Sequence, residues 1–288
     1  MHWLVFMAGA IIIRAFYSVA AKSATNNVDI HPTNFSTLFL GIAGLVGFAA
    51  TAPFGLPDLS ILADEWVLIL FVCLTMVFGN VIFFYGQRSI DTGTIQVALS
   101  SKLVWTALLA MPILGTRYSS LQVIGMVLLA SAIYLISIGV KHKAEIKGIL
   151  LIGLSAVSFG LNSVLLAKLS DVSSLSLFLL ITYLGTALLG VVLGWKHLAR
   201  DIDYLREKPE KLLDMLYASL TSLGYFIVLY ITFNEAGEDR GLVSVLTNAQ
   251  VVTSVLLAAF LLHERANMRR KIAAGAIVLI AACLISGI

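Results

Sequence analysis

"DTGTIQVALSSKLVWTALLAMPILGTR", residues Asp91–Arg117, is the stretch that decides the fold, because a later part of the chain repeats it. The later stretch is "DRGLVSVLTNAQVVTSVLLAAFLLHER", residues Asp239–Arg265, and the two align without a gap at an offset of 148 residues. An Asp-x-Gly motif coincides at the start of both stretches, an arginine coincides at the end, and Val97 meets Val245 between them. The sequence therefore reads as one structural unit used twice.

The composition indicates that both units lie in a membrane. The chain has 288 residues, of which 59% are hydrophobic and only 12% are charged, whereas a soluble domain is about 25% charged. A helix that crosses the hydrocarbon of a bilayer needs about 20 mostly apolar residues. The sequence supplies such runs at about 3–21, 34–53, 65–86, 94–114, 118–139, 148–167, 174–195, 213–233, 241–262 and 269–287.

These runs predict an all-α integral membrane protein with ten transmembrane helices. Each repeat holds five helices, residues 1–140 and 148–288, together forming a single membrane domain. Because five is odd, the two repeats must enter the membrane with opposite topology. Inverted repeats of this kind characterise many transporter folds, in which the binding site lies near the midplane between the halves.

The charges of the connections predict an orientation in the cell membrane. Of the 19 Lys and Arg residues, fourteen fall in one alternating set of loops and only three in the other set, which includes both termini. The longest connection, Lys196–Lys211, is charged and belongs to the rich set. Lysine and arginine accumulate on the cytoplasmic side of short loops, so we expect both termini to face outward.

Several classes of protein do not fit the sequence. The five His and two Cys residues show no metal-ligand spacing, and no phosphate-binding glycine loop is present. No nucleophile–base pair and no paired carboxylates at helical spacing indicate an enzyme. We therefore expect no metal, no cofactor and no nucleic-acid partner, but a lipid bilayer and a small-molecule substrate. One chain already supplies both topologies, which favours a monomer and leaves a dimer open.

Two positive charges lie inside the predicted helices, although a charge at the bilayer centre costs about 2.5–3.5 kcal/mol on insertion scales. Arg14 lies in the first helix and Lys102 in the fourth, both about 12–14 Å from the lysine-rich face at the rise of an α-helix. All sixteen acidic residues fall in loops or near helix ends. Each cation could snorkel to the surface by itself. Alternatively, both line a central cavity and bind the anionic group of a substrate, since arginine offers a planar fork and lysine a point charge.

Further polar and aromatic residues could share that cavity. Lys102 shares a helix face with Trp105 and Thr106, and Gln250 occupies the position in the second repeat that is equivalent to Lys102. Each could instead hydrogen-bond a neighbouring helix or pack against it, as such groups often do in membrane bundles. Beside Arg14 and Lys102, the candidate substrate-binding residues are Tyr17, Asn80, Trp105, Thr106, Asn162, Tyr225 and Gln250.

The end of the second repeat carries a resemblance to a known family. "LLHERANMRRKIAAGAIVLIAACLI" resembles the Gly-Glu-Arg turn, followed by a glycine-containing helix, of the drug/metabolite transporter superfamily and its EamA-type ten-helix members. In the first repeat the same place reads "LGTRYSSLQVIGMVLLASAIYLI", where Gly115 and Arg117 fit and Thr116 replaces the glutamate. The resemblance implies a secondary carrier or exporter of small metabolites. It also implies cytoplasmic termini, which is the opposite of the orientation that the charge count predicts.

The function that we expect is secondary transport of a small anionic or zwitterionic metabolite, such as an amino acid or an organic acid, by alternating access. A carrier or flippase of a phosphorylated or lipid-linked compound would use the same two cations. An exporter of cationic drugs fits less well, because two buried positive charges would repel its substrates. An integral-membrane enzyme and a non-transporting scaffold or receptor are the alternatives outside transport.

Overall fold

A computed structural model describes residues 3–26, 28–51, 53, 59–114, 119–137, 143–236, 250–263 and 267–286. Every regular element in these ranges is helical. In chain order the helices are α1 Trp3–Thr25, α2 Pro32–Thr51, α3 Ile61–Asp64, α4 Trp66–Gln87, α5 Thr92–Leu99, α6 Lys102–Leu114, α7 Ser120–Ser137, α8 Lys143–Val172, α9 Leu175–Leu179, a π-helical segment Leu180–Gly185, α10 Thr186–Glu207, α11 Pro209–Ala236, α12 Gln250–Leu261 and α13 Met268–Ser286.

The predicted all-helical membrane fold is confirmed in its coarse form. Six of the described helical stretches are long and apolar enough to cross a membrane, and Trp66–Gln87 is the most apolar of them with a mean hydropathy of 2.7. The other predicted spans contain shorter or more charged helices, such as Ser120–Leu135. The count of ten transmembrane helices stays a prediction.

The predicted fourth span, 94–114, is interrupted near its start. The helix stops after Leu99 and a new one begins at Lys102. At the interruption, the hydroxyl groups of Ser100 and Ser101 donate to the carbonyls of Gln96 and Ala98, both at 2.8 Å. Serine side chains that bond nearby carbonyls compete with the regular helix ladder and bend it. Lys102 thus lies in the first turn of a helix and not in the middle of one.

The seventh span also differs from the prediction. It contains one turn of π-helix, Leu180–Gly185, and then continues as α10 far beyond the predicted end at residue 195. The charged connection from Lys196 is therefore helical as far as Glu207. A π-helical turn shifts the side chains that follow it to a new face, and such turns often occur at functional sites.

The packing of the helices follows the twofold relation that the repeat predicts. Helix α1 packs on α11, and α4 packs on α8. These pairs are equivalent, because α1 and α8 are the first spans of the two repeats and α4 and α11 are the third spans. Likewise α6 packs on α8 and α12 packs on α1. The pairs α2 with α10 and α7 with α13 bring equivalent spans of the two halves together. The interior is therefore built where the two repeats meet.

Small residues and aromatic rings close the core between α2 and its neighbours. A Cβ atom at Gly44 would meet Leu184 at 2.7 Å, so only glycine permits this approach of α2 to the π-helical segment. The Phe84 ring lies edge-on to Phe35 at 4.7 Å and to Phe39 at 5.8 Å between centroids. Such tilted contacts are favourable beyond their buried area. The approach of Gly44 to Leu184 joins the two repeats, while the aromatic contacts join α2 to α4 within the first repeat.

Candidate functional site

Arg14 lies at the centre of the site and is enclosed by aromatic rings. Its guanidinium carbon lies 4.6 Å from the centroid of Tyr17 and 5.0 Å from that of Tyr225, so the cation is stabilised by two ring faces. Its Nε atom is buried and has no hydrogen-bond partner among the described residues. Of the ion pairs between described residues, none includes Arg14. The arginine is thus held in place without being neutralised.

Tyr183 completes the aromatic enclosure and was missed in the sequence. It lies within the π-helical segment, is fully buried, and packs edge-on against Phe226 at 5.8 Å. Its hydroxyl lies 3.2 Å from that of Ser222, and it is close enough to Arg14 to sense the guanidinium charge. A tyrosine inside an apolar run is normally interpreted as a residue of the hydrophobic core, and the sequence gives no signal for the π-helical turn.

Lys102 lies beside the same centre. It begins α6, where the positive end of the helix dipole adds to its own charge. Its side chain is half-buried. It is also near enough to Arg14 for the two like charges to repel each other. The structure therefore brings together the two cations that the sequence singled out.

Gln250 begins α12 in the second repeat, one turn before a contact of that helix with α1. The hydroxyls of Ser254 and Ser18 are 3.5 Å apart, which joins α12 to α1. The predicted topology runs these two helices in the same direction, and it therefore predicts that Gln250 and Arg14, each four residues earlier, lie at a similar level. The Gln250 Oε1 atom is buried without a partner in the described part of the chain.

The whole chain matches one family. The model of the EamA-like transporter family matches twice, over residues 1–138 and 146–287. The chain belongs to the EamA-like transporter family. This family consists of transporters, so the protein is a multi-pass membrane protein of the drug/metabolite transporter type. The double match agrees with a two-repeat architecture, while the division into residues 1–140 and 148–288 stays a prediction.

Comparison with solved structures supports the fold alone. One crystal structure is similar with a TM-score of 0.64 at 19% sequence identity, and the match covers 99% of this chain and 97% of that chain. No curated protein is similar enough in sequence to match. The EamA-like transporter is thus placed by its family and its fold, and its substrate has to be argued from its own residues.

Other predicted site residues of the transporter are engaged in packing. Asn80 donates to the carbonyl of Met76 in its own helix at 2.8 Å. Asn162 on α8 donates to the carbonyl of Val72 at 3.0 Å and to the Thr75 hydroxyl at 2.9 Å, which ties α8 to α4. These bonds fit the alternative reading of each residue as a link within the bundle. A substrate role for Asn80 and Asn162 stays a prediction.

Thr106 and Trp105 pack α6 against α8. The Thr106 hydroxyl donates to the carbonyl of Gly160 at 3.4 Å. A Cβ atom at Gly160 would meet that of Trp105 at 2.7 Å and the backbone of α6, so glycine permits the contact. Trp105 keeps 37% of its surface exposed. The structure places both residues one turn from Lys102 without assigning either to a ligand.

The Gly-Glu-Arg resemblance falls mostly outside the described residues. Glu264 and Arg265 lie there, as does the equivalent Gly115–Arg117 turn of the first repeat. His263, which precedes the glutamate, has a positive φ of 56°, a conformation rare for residues other than glycine. Among the described residues, no group of three or more His, Cys, Asp or Glu side chains could hold a metal ion.

The lysine-rich face carries ion pairs that the sequence did not predict. Lys271 on α13 is buried and binds the Asp91 carboxylate at 2.9 Å. Asp91 is also the N-cap of α5, since its side chain accepts from the backbone N–H of Thr94 at 2.9 Å. Nearby, Lys22 donates to the carbonyls of Gln87 and Ile90. The pair of Lys271 and Asp91 joins the two repeats, whereas the bonds of Lys22 lie within the first repeat.

Proposed function

We propose that the protein is a secondary transporter of a small anionic or zwitterionic metabolite, such as an amino acid or an organic acid. The observation that supports this best is the pair Arg14 and Lys102, two neighbouring cations that no described carboxylate neutralises. Uncompensated charges in a membrane are costly and are functional by default. A substrate anion between them would relieve both their repulsion and their desolvation.

The geometry around Arg14 suggests how the anion would bind. Tyr17 and Tyr225 hold the guanidinium through their ring faces, and its buried Nε atom has no hydrogen-bond partner among the described residues. A carboxylate fits the edge of a guanidinium with two parallel hydrogen bonds. Lys102 would add a third, charge-assisted contact. The unpartnered Oε1 of Gln250 accepts hydrogen bonds, so it would suit the ammonium group of a zwitterion.

Transport would follow from the inverted repeat. The site would lie between α1, which packs on α11 and contacts α5, and the start of α6 at Lys102. In transporters of this architecture the two halves rock about a fixed central site and expose it to one side at a time. The contacts of Lys271 with Asp91 would close the lysine-rich side during part of this cycle.

A thermal-shift screen of the purified protein tests the substrate class. The panel holds amino acids, organic acids, phosphorylated metabolites and organic cations, because a ligand that binds the folded state raises its melting temperature. We expect a shift with one carboxylate-bearing class. The Lys102→Gln variant should bind that class about tenfold to a hundredfold more weakly, since a bond to a charged group contributes about 1.5–3 kcal/mol.

Lys147→Gln is the matched control, because Lys147 is an exposed lysine at the start of α8. It should bind like the unmodified protein. A shift with phosphorylated compounds alone would replace a carboxylate substrate with a phosphate-bearing one. A shift with cations alone, unchanged in Lys102→Gln, would overturn the proposal in favour of a cationic drug exporter.

A further inference from the structure

A second polar cluster lies at the lysine-rich face, and it contains none of the candidate substrate-binding residues. Its centre is Asp201 on α10, which is fully buried. The Asp201 carboxylate accepts from the backbone N–H of His31 at 3.1 Å and from the Asn34 amide at 2.7 Å. Arg200 also binds it, at 2.8 Å. A carboxylate of the second repeat thus holds the start of α2 in the first repeat.

His31 connects the groups of this cluster through hydrogen bonds. It is the N-cap of α2, since its carbonyl accepts from the N–H of Phe35 at 2.9 Å. Its ring Nδ1 accepts from the backbone N–H of Thr33 at 3.4 Å, and its Nε2 lies 3.2 Å from the hydroxyl of Tyr85 on α4. An Nδ1 atom that accepts a hydrogen bond carries no proton. This arrangement therefore requires a neutral His31, with its proton on Nε2.

The surroundings of His31 oppose a positive charge on it. Its ring stacks on that of the exposed His197 on α10, with centroids 5.5 Å apart. Burial and the nearby cations lower the pKa of His31 below its usual range, and Asp201 opposes that shift only in part. The titratable and charged groups that face it are Tyr85 and Arg88 from α4, His197, Arg200 and Asp201 from α10, and Asp29 from the turn before α2.

We propose that His31, His197 and Asp201 form a proton-sensitive latch that joins α2 to α10 and opens when His31 becomes protonated. A proton on Nδ1 would point at the N–H of Thr33, so the cap of α2 would be lost. The imidazolium would also be repelled by His197, Arg88 and Arg200. Asp201 compensates for this repulsion only in part. The turn before α2 would then leave α10.

The direction of the pH effect follows from proton linkage. The latched state has a lowered His31 pKa, so it binds fewer protons than a state in which the histidine is free in water. The latch is therefore favoured at a pH above the ordinary histidine pKa of about 6.5, and it weakens as the pH falls below that value. His197 is exposed, so protons can reach the stack from water. The latch would make closure of the lysine-rich face depend on the pH of the solution that this face contacts.

Electron–electron distance measurements test the latch in the full chain. Spin labels at Asn26 and Arg206, both exposed, report the separation of the α1–α2 turn from the end of α10, with Cys73 and Cys283 replaced by alanine. We expect one short distance at pH 8 and a growing longer population between pH 7 and pH 5. His31→Asn should stay short throughout, because asparagine caps a helix with an oxygen that does not titrate.

His263→Asn is the matched control, since His263 is exposed and its positive φ suits asparagine. It should respond to pH like the unmodified protein. His197→Asn should shift the midpoint to a higher pH, because it removes a charge that repels the His31 cation. An unchanged distance between pH 8 and pH 5 would overturn the latch. An equal pH response in His31→Asn would do the same, because the titrating group would then lie elsewhere.

Discussion

Two buried charged centres of this transporter are built in opposite ways. At the lysine-rich face, Asp201 is fully buried and its two oxygens accept hydrogen bonds from His31, Asn34 and Arg200. In the interior, Arg14 is held by ring faces and has a buried Nε atom without a partner in the described residues. A charge that the protein itself satisfies is part of its architecture. A charge that it leaves unsatisfied is available to a ligand.

The largest effect on stability is expected from Asp201→Ala. The substitution removes the acceptor of the His31 N–H and of the buried Asn34 amide, and two buried donors left without a partner cost about 3 kcal/mol of unfolding free energy. Denaturant titration in mixed micelles measures it. Asp203→Ala is the control, because the pair of Asp203 with Arg206 is exposed and should contribute little. Equal stability of both variants would contradict the structural role of Asp201.

Arg14→Gln should weaken ligand binding without lowering the stability of the protein. It removes a charge that no described carboxylate neutralises, so the unfolding free energy should stay the same or rise. Ligand affinity should fall about a hundredfold, as for the loss of a bidentate, charge-assisted contact. Isothermal titration with the ligand found in the screen, alongside a denaturant titration, separates the two effects. An Arg14→Gln protein that unfolds readily would show that the arginine is structural.

Asp91→Asn isolates the ion pair with Lys271. Asparagine keeps the N-cap of α5, so the variant removes only the charge that faces the buried lysine. The unfolding free energy should fall by about 2 kcal/mol, the value of a bond between charged groups. Lys271→Met should largely cancel that loss when the two substitutions are combined. Additive losses in the double variant would show that the two side chains do not depend on each other.

Asn162→Ala should have the smallest effect. The amide links α8 to the backbone of α4, and interhelical hydrogen bonds in membranes contribute about 0.6 kcal/mol each. We therefore expect a loss of about 1 kcal/mol in unfolding free energy for its two bonds. Ligand affinity, measured by the same titration, should be unchanged. A clear loss of affinity would return Asn162 to the substrate site where the sequence placed it.

The architecture follows from patterns that a sequence displays directly. Long apolar runs and the repeat of Asp91–Arg117 in Asp239–Arg265 give helices and their twofold relation. The break at Ser100 and Ser101 could not be predicted, because serines inside a helix usually bond one turn back without ending it. The π-helical turn at Leu180–Gly185 also has no distinctive amino-acid pattern that would predict it. Both irregularities depend on tertiary packing.

The candidate site was predictable only in part. Arg14 and Lys102 stand out because charges in apolar runs are rare, and the two tyrosines beside Arg14 were among the predicted residues. Tyr183 was missed because the π-helical turn decides which way it faces. The Asp201 cluster was missed for another reason. Its partner His31 lies 170 residues away in sequence, and no local pattern joins a loop histidine to a helix aspartate.

The central claim is that Arg14 has no counter-ion among the described residues because the substrate supplies one. Gln250→Glu tests it most directly, since it places a carboxylate at the predicted level of Arg14, where a neutral amide now lies. We expect this variant to melt at a higher temperature without ligand and to lose anion binding. Gln250→Met, of similar size and uncharged, should do neither. A Gln250→Glu protein that still binds the anionic ligand with full affinity would contradict the account.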